Sequence, residues 1–252
     1  MMVGAPRAET RIKAAVIDRL LDGRYVDANS VLISEMTVAN WTRRADIVLA
    51  NGKLWGFEIK SEVDRLSRLP GQLATFATHF EKLVVVVAAR FEEQAKKLIP
   101  DGVGLWVEEE PGQLKERIRP KVMPLKTDPA LSLMTATDLR SFLACNGVKQ
   151  IKDAPRAALE NIARGFPVAD LANAARDAVK RRYRRSHQVF VEQQARVGTF
   201  DAVQALRRFN RTTVASTDHV PQFDLPELDL AEDHPLLVQA PAGRVLKRRR
   251  RA

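Results

Sequence analysis

A single cysteine, Cys145, stands among 252 residues. It can build neither an internal disulfide nor a cysteine-based zinc site, and such usage suits a reducing compartment. Long apolar runs are also missing. None approaches the roughly 18 residues that a membrane-spanning helix needs. The opening residues, MMVGAPRAETRIK, already carry Arg7 and Glu9 and lack the apolar centre of a secretory signal. The four histidines show no ligand spacing. Phosphate-loop and dinucleotide fingerprints are not found, nor is a serine nucleophile elbow. No internal repeat is visible. These absences point to a soluble cytoplasmic protein. Trp41, Trp55 and Trp106 read as packing residues rather than base-stacking platforms.

Positive charge, by contrast, is plentiful. The net charge is +10, and it is uneven. Residues 1–130 hold 20 Lys/Arg against 18 Asp/Glu, whereas residues 131–252 hold 21 against 13. A basic half beside a nearly neutral one suggests a polyanionic partner. Nucleic acid is the usual one, with DNA favoured. The bland alternative is a basic tail that only aids solubility.

Hydrophobic spacing divides the chain. Residues 7–22 follow the three-four spacing of an amphipathic helix, which Asp22-Gly23 ends. VLISEMTV (31–38) and two further runs near 43–50 and 53–60 read as strands. A helix over about 70–82 presents Leu73, Phe76, Ala77 and Phe80 on one side. LVVVVAA (83–89) has no polar side, as in a strand covered on both faces. A short helix (91–99) and a strand (102–109) follow, and a helix between consecutive strands implies a parallel crossover. The reading is an α/β domain over 1–125, a mixed sheet flanked by helices in αβββαβ order. Residues 108–129 read as a proline-punctuated connector. An all-α basic region should span 130–210, and a disordered tail, 211–252, ends in a basic run.

One stretch raises a chemical question. RRADIVLANGKLWGFEIKSEVDRL sets Asp46 in one strand and Glu58 and Lys60 in the next, around Asn51-Gly52. Side chains alternate along a strand, so Glu58 and Lys60 share a face. A two-residue loop would put Asp46 opposite Phe57, and one extra loop residue would bring it opposite Glu58. Paired carboxylates repel. A Mg²⁺ or Mn²⁺ ion would relieve that and activate a water for attack on a phosphodiester, with Lys60 assisting. Glu-x-Lys alone is a weak pattern, and on an antiparallel strand it can simply line a solvated face.

Those residues resemble the PD-(D/E)xK nuclease superfamily. More narrowly, ISEMTV and the run from RADIVLANG to FEKLVVVV resemble the sce7726 family over about residues 8–110, with Ala45-Asp46 where Pro-Asp is usual. The resemblance implies a restriction-endonuclease-like core and a metal-dependent nuclease acting on DNA. Asp46 and Glu58 would hold the metal and Lys60 would be catalytic. Glu35 and Glu9 would be accessory metal ligands, and Gln72 would position substrate or lysine. Arg44, Arg65 and Arg68 would contact phosphates. Alternatives are a DNA-binding protein whose nuclease fold no longer cuts, or an interaction protein of a mobile element.

In the helical half, DLRSFLACNGVKQIKDAPRAALENIARGF loosely resembles a SAP-type DNA-binding element; an ordinary helical hairpin fits as well. VKRRYRRSH is denser, with Lys180, Arg181, Arg182, Arg184 and Arg185 around Tyr183. It suits sequence-independent phosphate contacts near the nucleoid, or a merely solvated basic face. The terminal KRRRR and the acidic DLPELDLAED leave open a homodimer or a protein partner docked through the tail.

Overall fold

The computed structural model describes residues 5–38, 42–203 and 206, which all fall within one compact unit spanning 1–217. The tail after 206, with its acidic stretch and KRRRR run, lies outside the described residues, as does Trp41.

A six-stranded mixed sheet runs in sequence order. Helix α1 (Ala5–Asp22) precedes β1 (Val31–Val38), β2 (Arg43–Ala50) and β3 (Leu54–Lys60). Helix α2 (Leu69–His79) leads to β4 (Lys82–Ala88), and α3 (Glu92–Leu98) to β5 (Gly104–Glu110). β1, β2 and β3 form an antiparallel meander, while β3, β4 and β5 are parallel, as the intervening helices require. A sixth strand, β6 (Gln113–Ile118), lies inside what the sequence reads as a connector. Its prolines misled: Pro111 begins a two-residue turn closed by Gly112 at φ +85°, which returns β6 antiparallel to β5. Four helices follow: α4 (Thr127–Leu133), α5 (Ala136–Cys145), α6 (Arg156–Ala163) and the 30-residue α7 (Val168–Val197).

β4 explains the layering. Leu83, Val85 and Val87 enter one apolar cluster, and Val84 and Val86 enter another. The first cluster joins the sheet to α2 through α7, by way of Leu73, Phe76, Leu139, Leu159 and Leu171. The second joins it to α1 through Ile12, Val16 and Leu20. α7 contributes Tyr183 to the first and Phe190 to the second, so it serves both layers. On each edge strand a helix side chain engages one backbone group of the kind that an open edge offers to a further strand. At β1 the Leu32 N–H donates to His187 Nδ1 of α7, 3.3 Å away. At β6 the Leu114 carbonyl accepts from Arg19 Nη1 of α1, 2.6 Å away.

Gly56 marks the tightest fit in β3. A Cβ built there would lie 2.5 Å from the ring of Phe80, which is itself fully buried. Gly56→Ala should therefore cost about 1–3 kcal/mol through overpacking. Urea denaturation would read it, and a partial recovery in Gly56→Ala/Phe80→Leu would assign the loss to that contact.

Candidate functional site

The loop between β2 and β3 holds three residues, Asn51, Gly52 and Lys53, and Ala50 pairs with Leu54. Asn51 shapes it: its side-chain oxygen accepts from the Lys53 N–H at 2.9 Å, and its own N–H donates to the Lys53 carbonyl at 3.1 Å. This is the register that sets Asp46 opposite Glu58. The ladder stops one step earlier, at Ile47 and Phe57.

The reason lies in a distortion shared by β1 and β2. Val31 and Ile33 face the α2 side, yet so do Met36 and Val38, so the alternation changes parity between Ile33 and Met36. In β2 the same change falls between Ala45 and Val48. Glu35 sits at φ +58°, a left-handed conformation that costs a non-glycine residue about 1 kcal/mol or more. Glu35 and Asp46 drop out of the β1–β2 ladder together, between Ser34↔Ile47 and Met36↔Ala45. The sheet opens there, and polar groups fill the opening.

Asp46 takes over the missing ladder bond. Its Oδ2 accepts from the Ile59 N–H of β3 at 2.8 Å. Lys13 of α1, buried among the acids, reaches Glu9 at 2.6 Å, Glu35 at 3.3 Å and Asp46 at 3.8 Å. Arg44 pairs with the other oxygen of Glu35 at 2.9 Å. Glu58, 2% exposed, accepts on Oε1 from both Lys60 Nζ and Gln72 Nε2. Its Oε2 and the Gln72 Oε1 are buried without a hydrogen-bond partner.

Burial and charge shift these groups in different directions. Desolvation pushes Glu58 up to about 7, the Asp46 charge adds to that, and Lys60 and Gln72 resist it. Desolvation also raises Asp46, against the opposing pull of Lys13 and the Ile59 N–H. Burial works against the Lys13 ammonium, but Asp46, Glu9 and Glu35 outweigh it and hold its pKa above the usual lysine value. Glu58 can thus gain or lose a proton near neutral pH. The cation between Glu9, Glu35 and Asp46 is the Lys13 ammonium. Among the described residues no group of three or more His, Cys, Asp or Glu is placed to hold a metal ion.

Asp46, Glu58, Lys60, Gln72, Glu35 and Glu9 therefore belong to one polar network. Lys13 is its unforeseen member. The only sequence signal was a lysine set between Ile12 and Val16 and one helical turn after Glu9.

The arginines fall into two sets. Arg43, Arg65 and Arg68 are exposed and have no carboxylate partner among the described residues. Arg68 immediately precedes α2, and Arg43 Nη2 lies 3.6 Å from where a Cβ on Gly71 would sit, in the first turn of α2. The basic run on α7 is mostly engaged. Arg181 and Arg182 both pair with Asp138, and Arg182 also donates to the Leu133 carbonyl. Arg184 donates to the Ala28 carbonyl at 3.2 Å, and half-buried Lys180 acts on Asp27. Arg185 remains exposed. Those side chains fasten α7 to α4, α5 and the loop before β1.

Comparison with known proteins corrects the reading of this network. The family model described as Bacteriophage P4 protein cII matches residues 2–207. A curated relative, Protein cII of Enterobacteria phage P4, is 46% identical over 98 residues, which is 38% of this chain and 36% of the relative. The match thus spans about a third of that relative's length. Among solved structures, the SPO1766 protein of unknown function from Silicibacter pomeroyi aligns with 48% of this chain and 77% of its own. It is 17% identical with a TM-score of 0.38, too distant a likeness to define the fold. The sce7726 and PD-(D/E)xK assignment is overturned by the family match, and with it the metal-dependent DNA nuclease, endonuclease and hydrolase reading. Physically, Glu-x-Lys is too short a pattern to be diagnostic, and here Asp46 and Glu58 are engaged by backbone, lysines and glutamine. The chain belongs to the bacteriophage P4 protein cII family.

Proposed function

We propose that this chain is an interaction protein of a phage-type mobile element and that its partner is DNA. The observation that carries the reading is the set Arg43, Arg65 and Arg68, exposed, without carboxylate partners among the described residues, and close in space to the start of α2. Arginines without a carboxylate partner among the described residues are suited to phosphate oxygens, which they grip through a planar fork of donors. The membership in a family named for a phage protein supports the mobile-element setting. The +10 net charge favours encounter with a polyanion. Arg185 extends the basic surface on α7. In this reading the network around Glu58 holds the opened end of the sheet in shape beneath the arginines. Among the described residues no helix is long and apolar enough to cross a membrane.

The test is fluorescence anisotropy with labelled DNA over a salt series. Wild type should bind with a steep fall in affinity between about 50 and 200 mM salt. Arg43→Ala/Arg65→Ala/Arg68→Ala should flatten the log–log slope by about 2–3 and weaken binding roughly 10- to 100-fold at low salt. Thermal melting would establish that the variant is folded. An unchanged slope in a folded triple variant would refute the assignment.

A further inference from the structure

A cleft of about 530 Å³ lies between the segment leading into α2 and the start of α3. Its place follows from the topology. Residues 64–70 come just after β3 and residues 90–98 just after β4, so the cleft opens beyond the carboxyl ends of two parallel neighbours. That is where open α/β sheets generally receive ligands. Its size lies within the range of small-molecule sites.

The lining has two characters. Leu66, Pro70, Phe91 and Leu98 supply apolar surface, and Arg65 and Arg90 supply positive charge. Arg90 is already ordered: its guanidinium lies over the Phe91 ring at 4.3 Å, and its Nη2 donates to the Asp64 carbonyl at 3.4 Å. Asp64 lines the same cleft with its carboxylate charge intact, its Oδ2 fixed by the N–H and the hydroxyl of Ser61 at 2.9 and 2.6 Å, so the lining sets two arginines against one acid. A guanidinium stacked on an aromatic ring is a planar cationic platform, a surface on which nucleobases stack. An apolar wall beside a phosphate-binding arginine suits a base and its phosphate together. A duplex, whose bases are stacked inside, could offer this cleft only phosphates.

We infer that this cleft takes one unstacked nucleotide of a single DNA strand, its phosphate on Arg65 and its base on the Arg90–Phe91 platform. The inference rests on the proposed DNA partner and names the form of DNA that the site selects. It requires no bond to be made or broken.

The experiment compares a short oligothymidine, the matching duplex and free dTMP, by anisotropy for the strands and calorimetry for dTMP. The wild-type chain should bind the single strand roughly tenfold or more tightly than the duplex, as one stacked base allows. Arg90→Ser, which removes the cationic platform over Phe91, should bring single-strand affinity down to the duplex level. A strand carrying 5-iododeoxyuridine should photo-cross-link to the peptide containing Arg90 and Phe91, a readout independent of any variant's folding. Equal binding of strand and duplex, with cross-links elsewhere, would overturn the cleft and leave the DNA partner standing. Binding of dTMP as tight as that of the strand would overturn the strand as the source of the nucleotide. No binding to either DNA would overturn both readings.

Discussion

Glu81→Ala should cost about 3–5 kcal/mol of folding stability, the loss typical of a buried charge pair broken on one side. Glu81 begins the path into β4 and is 2% exposed. Its Oε2 accepts from the Leu54 N–H at 2.9 Å. Both of its oxygens accept from Arg176 Nη1 of α7 at 2.8 Å, and Lys53 Nζ lies 3.1 Å from Oε1. Its backbone is equally committed, the N–H to the Leu54 carbonyl and the carbonyl to the Met123 N–H, both at 2.8 Å. One carboxylate therefore ties the β2–β3 loop and β3 to the long helix. Alanine would leave a guanidinium with little access to water and an orphaned N–H at the start of β3. Chemical denaturation should show the loss, and the melting temperature should fall by roughly 10 °C for a domain of this size. Glu81→Gln keeps an acceptor for Leu54 and should cost less. In Glu81→Met/Arg176→Met both charges are gone, and much of the loss should be recovered. A cost below about 1 kcal/mol for Glu81→Ala would show that the pair behaves as a surface ion pair instead.

The second large effect is one of pH. His187 of α7 is buried and accepts the Leu32 N–H on Nδ1, a bond only a neutral ring can make at that nitrogen. Burial, with the nearby Arg184 charge, pushes its pKa down to about 4 from the ordinary 6.5. Between those values the unfolded chain holds a proton that the folded one excludes. Stability from this residue is therefore complete above pH 6.5 and is lost as pH falls towards 4. The loss should reach about 2–3 kcal/mol, allowing for residual solvent screening. Glu58 acts in the opposite sense. Its raised pKa of about 7 makes the folded state hold a proton that the unfolded chain has released, so its contribution is present at low pH and is lost as pH rises through 7. The comparison that separates them is His187→Gln, which keeps an acceptor for Leu32 and never charges. The stability gap between wild type and this variant should shift by about 2–3 kcal/mol against the wild type between pH 7 and 4. A gap that does not move with pH would mean that the ring takes up its proton in the fold as readily as in the unfolded chain, so that burial does not exclude it.

Helix α1, strands β1 to β5 and the segments that became α2, α3, α5, α6 and α7 follow from local patterning, because period and burial are local properties. VVVV reads as a strand covered on both faces because no polar side chain interrupts it, and β4 is covered on both faces. The network at the opened end of the sheet was half legible. Asp46, Glu58, Lys60 and Gln72 lie close in sequence, and one extra loop residue decides their register. Their meaning was not legible, since short acidic and basic patterns recur by chance, and the nuclease reading gave way to the family match. Likewise the basic density of α7 was plain, yet the sequence does not reveal that Asp138 and two backbone carbonyls engage three of its arginines.

What only the tertiary structure decided are the partners distant along the chain. Arg176 finds Glu81 across 95 positions and His187 finds Leu32 across 155. Lys13 meets Glu35 and Asp46 only once α1 has packed on the sheet. Hydrophobic period tells which side of an element is buried but not against what. Pairing a buried charge or an edge N–H depends on where another element comes to rest, which the burial of both sheet faces dictates together.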